Sequence, residues 1–169
     1  MTVNALAQEP TVPSGERLTP MLRASVFVRD IDESLKLYRD ILGLKPRIER
    51  VLEGDEVNAV LGTRGKTVRV AILQSGDTLV GNVGLFSFVC DTSPPPEPRS
   101  EVRTGDTAFI FITTDIRGLF QQVRDAGYAI VSPPMVLFPD PEAEEQDQEM
   151  LFFDADGVGI NLIQRGSKR

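Results

Sequence analysis

The sequence contains an internal echo, in which an alternating apolar strand leads into an aspartate and then into an amphipathic helix. The first copy is VFVRDIDESL at residues 26–35, and the second is IFITTDIRGL at residues 110–119. An aspartate at the end of a strand can cap the following helix, because its carboxylate accepts hydrogen bonds from free backbone N–H groups. The two aspartates, Asp30 and Asp115, lie about half the chain length apart. The echo therefore predicts two modules with the same order of elements.

Hydrophobic periodicity extends each copy into a βαβββ module. In the first module, the predicted elements are strand 22–29, helix 31–42, strand 47–53, helical turn 56–61 and strands 67–74 and 83–90. In the second, they are strand 107–113, helix 116–126 and strands 129–138, 149–154 and 159–164. One such sheet curls without closing, so the predicted fold is α+β, with two paired modules whose curled sheets form a cavity.

Composition sets the predicted boundaries between these parts. A loose N-terminal arm spans residues 1–20, the first module residues 21–91 and the second module residues 106–166. Residues 92–105 are rich in proline, which cannot donate to a sheet ladder, so they are predicted to form a linker.

Charge and cysteine content restrict the classes of partner. Six carboxylates between residues 140 and 149 account for nearly all of the net charge of −7. They predict a solvated loop, and the remaining chain has no basic stripe for nucleic acid. No apolar run approaches the roughly 20 residues that a membrane helix needs, and no secretory signal is evident. The single Cys90 is expected to be a buried, inert thiol, which suits a cytoplasmic protein.

Three motifs carry a family resemblance. The first is VFVRD at residues 26–30, followed by the Ser34–Tyr38 helix spacing and LGL at residues 42–44. The second is FIFITTD at residues 109–115 with AG at 126–127, and the third is FDADGVGINL at residues 153–162. In this order the chain resembles the vicinal oxygen chelate superfamily, which includes glyoxalase I, extradiol dioxygenases and bleomycin-resistance proteins.

The resemblance implies four metal-ligand positions, and three of them can be aligned. A family histidine seven residues before each strand-ending aspartate corresponds to Arg23 and Ala108, and the family's C-terminal glutamate corresponds to Asn161. The fourth position falls around residues 85–88, which are mostly apolar. Arginine is a permanent cation and alanine has no donor atom, so no metal and no other cofactor is expected.

Strand alternation predicts which side chains share a face with these positions. The predicted ligand-binding set is Arg23, Ser25, Phe27, Arg69, Ala108, Ile110, Asn161 and Ile163. Such a mostly apolar lining suits a small organic ligand with a carbonyl, carboxylate or phenolate that Arg23 can bind. Arg23 can equally reach solvent, and Asn161 can equally stabilise the neighbouring turn.

Two functions of different classes remain open from the sequence. One is metal-independent binding of a small molecule, of the sequestration, resistance or carrier type. The alternative is a metal-independent lyase or isomerase, in which Arg23 stabilises an oxyanion and a carboxylate moves the proton. Glu149 is the weak candidate for that base, with Glu49 and Glu53 also considered. The apolar lining and the missing metal ligands favour binding, and the family resemblance implies a homodimer.

Overall fold

The computed structural model of the protein describes residues 10–166. Residues 1–9 of the predicted arm, and residues 167–169, lie outside the described part, and residues 10–20 contain no helix or strand. The chain divides into two compact units, the first ending at Ser93 and the second beginning at Pro94. Each unit has one four-stranded sheet, as the α+β prediction requires. None of the helices in the described residues is long and apolar enough to cross a membrane.

The first unit contains four strands and two α-helices. In chain order they are β1 (Arg23–Phe27), α1 (Ile31–Leu35), β2 (Lys45–Leu52), α2 (Asp55–Leu61), β3 (Val68–Gln74) and β4 (Asn82–Phe88). The sheet order is β1-β4-β3-β2, with β1 parallel to β4 and the other pairs antiparallel. Strands β1 and β2 are therefore the two edges of this sheet.

Asp30, the aspartate of the first copy, caps α1 as the sequence indicated. The Asp30 carboxylate accepts hydrogen bonds from the N–H groups of Asp32 and Glu33. The predicted single helix differs from the structure in its second half, because the segment Lys36–Ile41 is π-helical. The wider turns bury Leu37 and Tyr38 fully. Apolar spacing alone did not distinguish the two helix types, since both bury one face.

Helix α2 is held by a buried amide. Asn58 is nearly inaccessible to solvent, and its Nδ2 donates to the carbonyls of Gly54 and Lys66, at 2.8 and 3.1 Å. Its Oδ1 accepts from Thr63 Oγ1 at 2.8 Å and from the Lys66 N–H at 2.9 Å. One side chain thus joins both ends of the helix to the loop that leads into β3.

The expectation of a buried thiol at the end of β4 is wrong. Cys90 is exposed, two residues beyond the end of β4. Its φ angle of 63° lies in the left-handed region, which is uncommon for a residue other than glycine. The chain has therefore already turned away from the sheet at this residue.

The second unit repeats the arrangement. Its elements are β5 (Ala108–Ile112), α3 (Ile116–Asp125), β6 (Ala129–Met135), β7 (Gln148–Phe153) and β8 (Gly159–Gln164). The sheet order is β5-β8-β7-β6, again with the first pair parallel. Pro133 and Pro134 lie within β6, which tolerates them because it is an edge strand whose register shifts near them.

The Pro-rich segment predicted as a linker folds onto the second unit. The Arg99 guanidinium stacks over the Phe153 ring at 4.1 Å from its centroid, and its Nη2 donates to Asp106 at 2.8 Å. The hydrogen bonds that Asp106 accepts from the Arg99 guanidinium and from the Arg103 N–H lower the pKa of Asp106 below its usual value. The segment is thus anchored at the end of β7.

Candidate functional site

The first unit presents an open sheet face that carries Arg23. Side chains alternate along β1, so Arg23, Ser25 and Phe27 lie on one face, and all three are exposed. The strand register extends that face across Gly84 and Phe86 of β4. The opposite face lies under α1, where Asp32 reaches β3. The predicted face is therefore exposed along β1, whereas over β3 the same face is buried and Val57 and Leu61 of α2 pack on it.

Arg23 lies flat on this face rather than reaching away from it. Its Nε donates to Ser25 Oγ at 3.1 Å, and its guanidinium carbon is 5.5 Å from the centroid of the Phe86 ring. Among residues 10–166, no carboxylate forms an ion pair with it. The two Nη groups accordingly have no hydrogen-bond partner within the described residues.

Phenylalanine rings continue the face beyond the guanidinium. The Phe27 ring is tilted by 37° against Phe86 at 5.5 Å, and it stacks on Phe88 at 5.9 Å with an angle of 22°. Phe86 and Phe88 pack on the core of the unit, whereas Phe27 is 51% exposed. Along β1 and β4 the face thus combines phenylalanine rings with the Arg23 guanidinium.

Arg69 does not belong to this face, which corrects its place in the predicted binding set. The register aligns it with Ser87 and Val51, one step out of phase with Phe86. Its guanidinium donates to both carboxylate oxygens of Asp32, at 2.8 and 3.0 Å. Chiefly through these hydrogen bonds, the pKa of Asp32 is lowered and that of Arg69 is raised. Arg69 therefore joins β3 to the start of α1.

A cavity of about 290 Å³ adjoins Arg69 on the helix side of the sheet. It is lined by Ile31, Glu49, Arg50, Val51, Arg69, Val70 and Ala71. Glu49 pairs with Ala71 in the sheet and so lies one step out of phase with the Arg23 face. Glu49 is therefore separated from Arg23 by the sheet, and so cannot serve as its partner base within this unit.

The second unit presents a comparable face around Asn161. The register places Ile110 beside Asn161, and Ala108 and Ile163 lie two residues further along their strands, in opposite directions. Ala108 and Ile110 are exposed, while Asn161 and Ile163 are half-buried. The four predicted residues of this unit therefore share one mostly apolar face.

Glu149 lies on that same face of the second unit. It pairs with Ile163 in the register, and its Oε2 accepts a long hydrogen bond of 3.4 Å from Asn161 Nδ2. The same Nδ2 donates to the Met150 carbonyl at 3.2 Å. Glu149 is half-buried and so belongs to the sheet rather than to the solvated acidic loop. No ion pair within the described residues neutralises it.

The register places the fourth family position one residue before the range 85–88 that the sequence indicated. Ser25 pairs with Gly84 in the first unit, as Ile110 pairs with Asn161 in the second. Gly84 is therefore the counterpart of Asn161, and it has no side chain. A glycine inside a strand is itself a sign of close approach by a neighbouring group, and this signal was present in the sequence.

The residues at the four positions do not fit a metal ion. Arg23 carries a positive charge, Gly84 and Ala108 offer no side-chain donor, and only the amide oxygen of Asn161 remains. Within residues 10–166 no group of three or more histidine, cysteine, aspartate or glutamate side chains could hold a metal elsewhere. The donor set of this chain thus disagrees with the one that the family resemblance implied.

Solved structures share this architecture at low sequence identity. A glyoxalase family protein from Bacillus cereus aligns with a TM-score of 0.72 and 18% identity, over 90% of this chain and 98% of that one. Glyoxalase I from Zea mays gives 0.61 and 20%, over 88% of this chain and 45% of that one. The trypanothione-dependent glyoxalase I of Leishmania major gives 0.56 and 18%, over 87% of both chains.

The family itself is identified from the sequence. No curated protein matches this chain significantly. Residues 21–162, which hold both sheets almost entirely, match the family described as the Glyoxalase/Bleomycin resistance protein/Dioxygenase superfamily. With that match over most of its length, and with the same fold in the solved structures, the chain belongs to this superfamily.

Proposed function

We propose that this protein binds a small, partly apolar organic ligand with an anionic or carbonyl group, and does so without a metal. The role is sequestration, resistance or transport of the ligand. The observation that carries the proposal is the guanidinium of Arg23, which lies on an open face without a carboxylate partner among the described residues.

The geometry of Arg23 supports anion binding. Because Arg23 Nε already donates a hydrogen bond to Ser25, its two Nη groups can donate to a ligand oxygen. Hydrogen bonds between charged partners are roughly twice as strong as neutral ones. The nearby Phe27 and Phe86 rings supply apolar surface for the remainder of the ligand. A charged group beside apolar surface is typical of small-molecule sites.

The second unit supports the same class of ligand. Its open face carries the large apolar side chain of Ile110, which is 65% exposed, beside the polar groups of Asn161 and Glu149. Apolar surface with a few polar groups is again what a partly apolar organic molecule requires.

The alternative is a metal-independent lyase or isomerase with Glu149 as its base. The observation that favours it is the contact between Glu149 and Asn161, which holds a half-buried carboxylate on an open face. Such a carboxylate can accept a proton from a ligand within reach.

Replacing Arg23 by alanine tests the proposal. We expect protein purified from its host to carry an organic molecule in native mass spectra, and Arg23→Ala to lose about nine-tenths of it, because a charged hydrogen-bonding partner contributes about tenfold in affinity. Arg69→Ala, which removes the same charge from the other face of the sheet, is the matched control and should retain the molecule.

Three outcomes separate the alternatives. Equal occupancy in Arg23→Ala and the native protein would contradict the proposal. Recovery of the bound compound unchanged after prolonged incubation supports binding, whereas its conversion to a second mass supports the enzyme. The homodimer and the absence of nucleic-acid partners stay predictions, which sedimentation velocity with and without added DNA would test.

A further inference from the structure

We propose that the Arg23 face selects aromatic carboxylates, and that Gly84 is the positioning residue that allows Arg23 to lie in place. This inference rests on the proposed function, which it narrows to one class of ligand. It draws on the three phenylalanine rings, on the hydrogen bond from Arg23 to Ser25, and on the missing side chain at Gly84.

The rings determine the shape of the ligand. Phe27, Phe86 and Phe88 form a continuous strip, with ring centroids 5.5 and 5.9 Å apart. The Phe27 ring, half of which is exposed, offers a flat surface for stacking. Aromatic pairs gain beyond their buried area from offset or tilted packing, which a saturated ring does not provide. A flat aromatic ligand is therefore favoured over an aliphatic one of equal size.

The guanidinium determines the charged group. Because Arg23 Nε is bonded to Ser25, the fork formed by its two Nη groups is the part available to a ligand. Two parallel hydrogen bonds from such a fork match the two oxygens of a carboxylate. Since Arg23 lies within 5.5 Å of Phe86, a carboxylate at the edge of a stacked ring reaches it.

Gly84 leaves the space that Arg23 fills. A Cβ atom at Gly84 would lie 2.7 Å from Arg23 Cδ and 3.1 Å from its Nε, too close for either atom to stay. It would also lie 3.0 Å from Phe86 Cε2. Gly84 does not have a positive φ angle, so alanine can adopt its backbone conformation. Gly84→Ala should thus displace the flexible arginine while keeping its charge and the fold.

Gly84 corresponds to Asn161 of the second unit, and the Arg23 side chain lies over Gly84. A cation lies over a family metal-ligand position. In this chain, a fixed positive charge on the protein replaces the positive charge that an ion would supply, and it calls for an anionic ligand group.

Calorimetric titration of the full chain with three probes tests this inference. The probes are 2-naphthoate, its neutral amide and its saturated analogue decahydro-2-naphthoate. We expect naphthoate to bind about tenfold more tightly than either of the others, as one charged contact and one stacked ring predict. Gly84→Ala and Arg23→Ala should each weaken naphthoate about tenfold and leave the amide unchanged, while Arg69→Ala changes neither.

The outcomes distinguish this inference from the proposed function. If the saturated acid binds as tightly as naphthoate and Arg23→Ala weakens both, the function stands and the aromatic class is wrong. If no probe binds, the aromatic carboxylate class is wrong. If the probes bind and Arg23→Ala changes no affinity, both are wrong. If Gly84→Ala retains native affinity, its positioning role is wrong. Arg23→Lys keeps the charge without the fork, so it should also bind naphthoate more weakly, and circular dichroism confirms that each variant is folded.

Discussion

Replacing Phe152 by alanine is expected to lower the free energy of unfolding by about 3–5 kcal/mol, the largest stability effect of any change considered. Phe152 is 0% exposed near the end of β7, paired with Ile130 on one side and Ile160 on the other. Its ring contacts Tyr128 at 6.2 Å between centroids. Alanine would leave a cavity under α3 that close-packed neighbours cannot fill.

Phe138→Ala is the matched control for that change, because the same side chain is 78% exposed just beyond β6. Its free energy of unfolding should differ from the native value by less than about 0.5 kcal/mol. Urea denaturation followed by circular dichroism measures both. Similar losses in the two variants would contradict the placement of Phe152 in the core of the second unit.

Asn58→Ala is expected to cost about 2–3 kcal/mol, because it removes four hydrogen bonds and leaves buried partners unsatisfied. The carbonyls of Gly54 and Lys66 would both lose a donor at once. The effect lies in the first unit, where α2 and the following loop would loosen together. Urea denaturation at neutral pH measures this loss as well.

Thr63→Val provides the graded control for Asn58. It removes only the hydrogen bond from the Thr63 hydroxyl to Asn58, at nearly constant volume, and should cost about 1 kcal/mol. If Asn58→Ala is no more destabilising than Thr63→Val, the buried amide does not hold this helix as the structure indicates.

Alternation along the sequence was sufficient to predict most of the strands and their faces. Arg23, Ser25 and Phe27 share a face because β1 follows a strict period of two. Strand β3 gave no such signal, because nearly all of its residues are buried on either face. Arg69 was therefore assigned to the wrong face of the sheet. Alternation of apolar and polar residues shows on which face a side chain lies only where one face of the strand is exposed.

Pairing between strands was beyond what the sequence could indicate. Gly84 is recognised as the fourth family position only through its partner Ser25, which lies far away in the chain. The π-helical turns after α1 and the exposed Cys90 also depend on how the chain packs, not on local residue type. The candidate site is therefore predicted in outline by the sequence, and its detailed geometry comes from the register.

In the proposed function, the Arg23 guanidinium and not a metal ion contacts the ligand of this superfamily member. The most direct test is elemental analysis of the protein after incubation with zinc, nickel, manganese and ferrous ions and removal of the excess. We expect that no metal remains at one equivalent per chain, and that a chelator leaves 2-naphthoate affinity unchanged. One equivalent of any of these metals, with naphthoate binding that the chelator abolishes, would contradict it.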